Sequence, residues 1–315
     1  TVTKEKPNVS KKNLGFIVLT ALLIVFTLAF YKYKEKKNMT NILPQNITLH
    51  FGYQGVRDFH TYTKGENDNY PNIMSFSDIR FQPPNLGTVN IEHAGKTLVL
   101  RNIFSVMGTK LGDRTDGIGA LDIYGGLNKE EFVTSEQAYQ GYVALMQELN
   151  SKGWQLYYNP WDARYVAQDN LKIILGQTQG VLLQGSTYIS DASKVLNFKE
   201  WQTIFTQRKS MGAKLYLRDL ILELNIDQTP DSKPRQEQYL IRYTIDSVKY
   251  SFYSGLNEEQ RKLNQQELKK IYDENMVTEL EMRNEEELRA KQAGFHIDEN
   301  YKDPDMWQYI VEPSY

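Results

Sequence analysis

The chain has 315 residues, with 37 basic against 39 acidic side chains, a formal net charge of -2 and no cysteine. That balance offers no global attraction to nucleic acid, whose electrostatic capture needs a clustered basic patch. The missing thiols remove every disulfide framework and every cysteine-based metal site, so the fold must be held by its core.

The first element in chain order is the run Leu14 to Phe30 (LGFIVLTALLIVFTLAF), which is uncharged and almost wholly apolar. A span of roughly 17–25 such residues crosses a hydrocarbon core. Lys11 and Lys12 precede it, Lys32, Lys34, Lys36 and Lys37 follow it, and Tyr31 and Tyr33 stand at headgroup level. No small-x-small cleavage site follows, as a signal peptide would require. The expected layout is a short basic tail at 1–13, a single transmembrane anchor at 14–33 and a spacer at 34–45. Flanking lysines are balanced on the two sides, and long domains translocate with little regard for nearby charge. The reading is therefore N-terminus inside, with the large domain outside the cytoplasm. The Asn-, Lys- and Tyr-rich composition fits an AT-rich bacterial genome, which makes the bacterial inner membrane and periplasm the expected location.

After the spacer, Ile47 to Phe51 reads as a first strand, and 58–90, rich in Asn, Asp, Tyr and Pro, as a loop-dominated segment with short strands such as Ile79-Arg80-Phe81. A hairpin is expected about Ala94-Gly95. Asn128 with Glu131 and Thr134 with Gln137 have capping-box spacing. The helix after Thr134 carries Ala138, Tyr142, Leu145, Met146 and Leu149 at helical intervals and stops at Gly153. Trp154 to Tyr158 alternates like a strand and breaks at Pro160-Trp161. A short helix capped by Asp162 through Val166, strands at Leu171 to Leu175 and at Gly180 to Leu183, and a helix opening at Asn197 or Lys199 follow. Lys214 to Leu224 and Glu237 to Tyr253 read as paired strands joined through an exposed, Pro-containing tip at 227–234. Residues 257–293 carry a helical code dense in charge, with a thin apolar stripe of Leu263, Ile271, Leu280 and Leu288. The expected fold class is α+β: an antiparallel-sheet domain over 46–256 packed by helices, then a long charged helix and C-terminal tail over 257–315.

For chemistry, the histidines His50, His60, His93 and His296 are scattered and form no His-Glu-x-x-His arrangement, and no serine sits in a Gly-x-Ser-x-Gly elbow. The stretch Gly112 to Gly126 gathers Asp113, Asp116 and Asp122 among five glycines. Its spacing matches neither an EF-hand nor a phosphate loop, so a tight structural loop is expected, with Asp113 and Asp116 as candidate partner contacts. No cofactor and no metal is expected. The aromatic set about Trp161 reads first as core, but Tyr, Trp and Arg also dominate binding hot spots. Tyr158, Trp161, Arg164 and Tyr165, clustered at a break in regular structure, are the candidates for an exposed binding rim.

The segment Ala138 to Leu149 with Lys152-Gly153-Trp154, together with Pro160-Trp161-Asp162-Ala163-Arg164-Tyr165, resembles small α+β immunity-type proteins encoded beside bacterial type VI secretion effectors. The resemblance covers about a fifth of the chain. It implies a bitopic inner-membrane protein whose periplasmic domain neutralises a toxin by direct binding, and carries over no catalytic residue. The function classes in competition are an anchored periplasmic protein-binding module, a structural subunit of an envelope or secretion machine, and an anchored hydrolase using Asp113, Asp116 or Asp122.

Overall fold

A computed structural model describes residues 43–311 apart from 64–67, 71–73, 179, 181–182 and 184–190. The anchor expected at Leu14 to Phe30 lies outside the described residues, as do 181–182, the middle of the strand expected at Gly180 to Leu183, while Gly180 is in a turn and Leu183 in no regular element. Among the described residues no helix is long and apolar enough to cross a membrane. The described residues from Gln45 onward belong to one compact unit.

Among the described residues ten strands form one sheet. They are β1 (Asn46–His50), β2 (Asp68–Tyr70), β3 (Met74–Arg80), β4 (Gly87–His93), β5 (Lys96–Leu111), β6 (Ala120–Gly126), β7 (Gln155–Leu156), β8 (Ser210–Leu217), β9 (Leu220–Lys233) and β10 (Gln236–Ser247). The spatial order is β1-β4-β5-β6-β10-β9-β8-β7, with β3 also paired to β5 and β2 to β3. β5 is 16 residues long, so its first half pairs with β4 and its second half with β3. The sheet is mixed and not purely antiparallel as expected, because β1 runs parallel to β4. A parallel neighbour needs a crossover connection, and here the chain supplies one through α1 (Gly52–Thr63), β2 and β3 before it returns as β4.

Alternation along the central strands assigns two faces. Leu121 and Ile123 stand opposite Ile245 and Tyr243, which stand opposite Leu222 and Leu224, and all are buried. Full burial of each such Leu or Ile contributes about 1.5–3 kcal/mol. This inner face is covered by α2 (Ser135–Lys152) and α4 (Phe198–Gln207), where Trp201 lies between Tyr142, Phe205 and Tyr239 with centroid distances of 5.0, 4.3 and 5.9 Å. Both helices open on complete capping boxes, Thr134 with Gln137 and Asn197 with Glu200, and α2 ends on left-handed Gly153. The outer face carries Lys214, Glu223, Thr244 and Asp246. It is capped by a second core of Leu111, Tyr157, Val248, Leu268, Met306 and Ile310, which brings in α5 (Val248–Ser254), α6 (Gln265–Gln292) and α7 (Trp307–Val311).

Several elements differ from the sequence reading. The segment read as loop from 58 belongs in part to α1, whose glycines lower helix propensity but are demanded by packing: a Cβ on Gly55 would lie 2.2 Å from the His50 carbonyl oxygen. Leu171 to Ile174 is the last turn of a helix, α3 (Ala167–Ile174), since a short apolar run does not by itself distinguish helix from strand. Asp162 caps no helix; its carboxylate closes a turn on Asn159. Asn128 opens no helix either, and its side chain donates to the Gln137 carbonyl at 3.1 Å. The strand expected to reach Tyr253 stops at Ser247, whose hydroxyl accepts the Tyr250 N–H at 3.1 Å and starts α5. The expected hairpin tip at 227–234 is largely strand, with Lys233 opposite Gln236.

Candidate functional site

The chain leaving β7 enters the break at Pro160 and is fastened on every side. The Asn159 backbone N–H and side-chain amide both donate to Asp162 Oδ2, at 2.9 and 2.7 Å. Tyr158 donates its backbone N–H to the Tyr301 hydroxyl at 3.1 Å and its own hydroxyl to the Tyr165 carbonyl at 2.9 Å. From α6, the buried Arg283 donates to the Asn159 carbonyl at 2.6 Å and forks onto Asp303 at 2.6 and 3.0 Å. Tyr165 donates to Glu286 at 3.1 Å. Arg164 forks onto Glu287 at 2.7 and 2.9 Å.

These contacts correct the expected rim. Tyr158 and Tyr165 are 2% and 1% exposed and belong to the core, where burial pushes both phenols well above their ordinary range. Arg164 is committed to Glu287. Trp161 alone of the four stands open, at 44% exposure.

Beside Trp161 lies a cavity of about 360 Å³, floored by Ile221, Glu223 and Asp246 of the sheet's outer face and roofed by Tyr272, Met276 and Glu279 of α6. Asp246 is pushed up to about 6, first by burial and then by the charges of Asp122 and Glu223, against the opposing pull of Lys214 and Arg242. Glu279 is raised by burial against the pull of Arg283. Neither carboxylate has a hydrogen-bond or ion-pair partner among the described residues. The other two acids of the cavity do: Glu223 lies 3.7 Å from Lys214, and Asp303 holds Arg283.

The acidic glycine stretch is built differently. Asp113 accepts from Arg261 at 2.8 Å, Asp116 pairs with Arg114 and with Lys249, and Asp122, within β6, accepts from Arg242 at 2.6 Å and Thr244 at 3.0 Å. The three carboxylates thus take separate cations and do not converge. Gly117 and Ile118 brace the start of α1, with Gly52 and Ile118 exchanging two backbone hydrogen bonds at 2.8 and 3.0 Å. Among the described residues no group of three or more His, Asp or Glu side chains could hold a metal ion. His50, His93 and His296 each lie against an aspartate, at 2.8 Å from Asp58, 2.6 Å from Asp219 and 2.8 Å from Asp169, and none lines the cavity.

Asp246 and Glu279 were not legible as a site. Asp246 occupies a polar position of an alternating strand and Glu279 one of many acids on α6, and only the tertiary packing of helix on sheet brings them to one cavity. No protein-family model, no curated protein and no solved structure matches the chain.

Proposed function

We propose that this chain is a membrane-anchored, extracytoplasmic protein-binding module, a periplasmic immunity protein that neutralises a toxin of bacterial type VI secretion by direct contact. The observation that supports the reading best is Trp161, an exposed aromatic ring on a loop whose neighbours Asn159, Asp162 and Arg164 are all held by hydrogen bonds. Binding energy concentrates in aromatic and arginine anchors, and a loop backbone already held in place loses less freedom on binding. The acidic loop, with each carboxylate tied to its own cation, supports occupation of a surface over chemistry.

The test is protection. Where a neighbouring gene encodes a secreted toxin, a host expressing that toxin in the periplasm survives with the full-length chain present and dies with Trp161→Ala at equal abundance. A toxin that kills in the presence of the intact chain sinks the reading. A structural subunit of an envelope machine is the second reading, and Val277 and Leu288 favour it: each is 58% exposed, and three turns apart they share one face of α6.

A further inference from the structure

We propose that the cavity beside Trp161 receives a protonated side chain of the bound protein, a lysine ammonium or arginine guanidinium on its aliphatic stem, with Asp246 and Glu279 as its counter-charges. The inference rests on the binding reading and names the chemistry that the partner must present.

The cavity volume of about 360 Å³ lies at the small end of ligand pockets, roughly 300–1,000 Å³, and suits one side chain better than a large cofactor. Its walls are of two kinds. Tyr157, Phe252, Tyr272, Met276 and Ile310 offer rings and apolar groups to a methylene stem, and Trp161, which also lines the pocket, is the ring type that attracts a cation best. The polar groups leave a single sign unanswered: Glu223 is beside Lys214 and Asp303 holds Arg283, while Asp246 below and Glu279 above have no partner among the described residues. An anion would face two like charges there. A purely apolar group would seal two carboxylates away from water without compensation, which is costly. A cation on an apolar stem answers both.

The electrostatic surroundings agree. The charged and titratable groups about Asp246 are Asp122, Glu223, Lys214, Arg242 and Tyr250, and those about Glu279 are Arg283, Tyr157 and Tyr272. Both carboxyls are raised with burial as the first cause, which is the condition that an arriving cation relieves.

The experiment titrates the full-length chain in detergent with three blocked amino acids, the N-acetyl methylamides of lysine, arginine and norleucine, and with spermidine, by calorimetry. Near pH 8 the lysine or the arginine compound binds saturably and the neutral norleucine compound does not. Asp246→Asn and Glu279→Gln each weaken that binding about tenfold or more, the scale of one charge-assisted hydrogen bond. Acidification to about pH 5 weakens it similarly in the wild type and much less in Asp246→Asn. Thermal unfolding of both variants near pH 8 is expected at or above the wild-type temperature, since a neutral amide needs no counter-charge, so lost binding is not lost folding. The proposal is overturned if neither cationic amino acid binds, if norleucine binds equally, if the two substitutions leave affinity unchanged, or if spermidine binds while both blocked amino acids do not, which would assign a free amine instead. Failure here with toxin protection still dependent on Trp161 removes the cation pocket and leaves the binding module. Failure of protection by the wild type removes the module itself.

Discussion

Arg164 and Glu287, 123 positions apart in the chain, meet in a fork: Nε donates to Oε1 at 2.7 Å, a terminal nitrogen donates to Oε2 at 2.9 Å, and the Arg164 backbone N–H adds a third bond to Oε1 at 3.2 Å. The pair ties the loop carrying Trp161 to the C-terminal half of α6. Burial by itself would raise the Glu287 carboxyl, but the donors of Arg164 outweigh it and hold that carboxyl below its usual range. A carboxylate depressed in the folded state contributes stability above its unfolded pKa, about 4.3, and loses it as pH falls through the lower folded value. Arg164→Ala is therefore expected to cost about 2 kcal/mol or more at neutral pH, somewhat below the 3–5 kcal/mol of a fully buried broken pair. The difference from wild type should shrink once Glu287 protonates. Unfolding of wild type and variant at neutral pH and near pH 3 checks this, and equal midpoints at neutral pH would show the fork to be idle.

The loop that braces α1 gives a second, steric prediction. Gly95 and Gly117 both have left-handed backbone, with φ of 73° and 83°, but a Cβ on Gly95 meets nothing within 4 Å while one on Gly117 lies 2.2 Å from the Gly52 carbonyl carbon. Gly95→Ala carries the conformational cost alone, about 1 kcal/mol. Gly117→Ala adds a backbone displacement and should cost at least about twice as much, because crowding adds to strain. Denaturant titration of both variants tests the ranking. The same loop holds its carboxylates with Arg261, Arg114 and Lys249, so a chelator should leave the melting temperature unchanged. A drop that calcium reverses would make the loop a binding site for the ion.

What the sequence disclosed followed periodicity and end signals. The box at Thr134 and the stop at Gly153 are local patterns and appear as read, but the run Lys214 to Leu224, expected as one strand, turns back at Arg218-Asp219 into β8 and β9, so that only Leu220 to Leu224 pairs with Tyr243 to Ser247 as expected. What it hid depended on partners far along the chain. The docking side of α6 buries Arg283, Glu286 and Glu287 beside Leu268 and Ala290, so its apolar stripe is thin because charged side chains do the docking. Leu288, taken as part of that stripe, is 58% exposed. Tyr158 and Tyr165 carry the same residue types that would mark a binding rim, and only contacts with residues 286–301 reveal them as core.

Asp246 supplies a prediction of opposite sign to that of Glu287. Its pKa is raised from the ordinary value of 3.8 to about 6, chiefly by burial. A group raised on folding favours the native state most at low pH, and that contribution is lost as pH rises through the folded value. Above about pH 7 the ionised carboxylate therefore weakens the fold, by an upper bound of about 3 kcal/mol. Asp246→Asn should raise stability near pH 8 by about 1–2 kcal/mol, with the gain fading toward pH 4. Melting temperatures across that range decide it, and a variant less stable than wild type at pH 8 would show that the carboxylate has a stabilising partner.

Topology is tested separately. If Leu14 to Phe30 spans a membrane as proposed, its matched lysine flanks leave the orientation open, and the proposal places the domain after it outside the cytoplasm. A reporter active only outside the cytoplasm, fused after Tyr315, should be active. Activity of a cytoplasm-only reporter at that point would remove the periplasmic location and the immunity reading with it.

Trp161 and Trp201 separate binding from folding. Trp201 is fully buried among Tyr142, Phe205 and Tyr239, so Trp201→Ala should cost about 3–5 kcal/mol of stability through the cavity it leaves. Trp161 is 44% exposed, and the turn beneath it is held by Asn159, Asp162 and Arg283, none of whose contacts passes through its ring. Trp161→Ala should thus cost less than about 1 kcal/mol of stability, as surface substitutions do, yet about 2 kcal/mol or more of partner affinity, as truncated hot spots do. Unfolding and partner binding measured on the same two proteins give a crossed pattern if the reading holds. A Trp161→Ala protein that unfolds early and binds normally would place this ring with Tyr158 and Tyr165 in the core, and the binding surface would have to be sought elsewhere on the molecule.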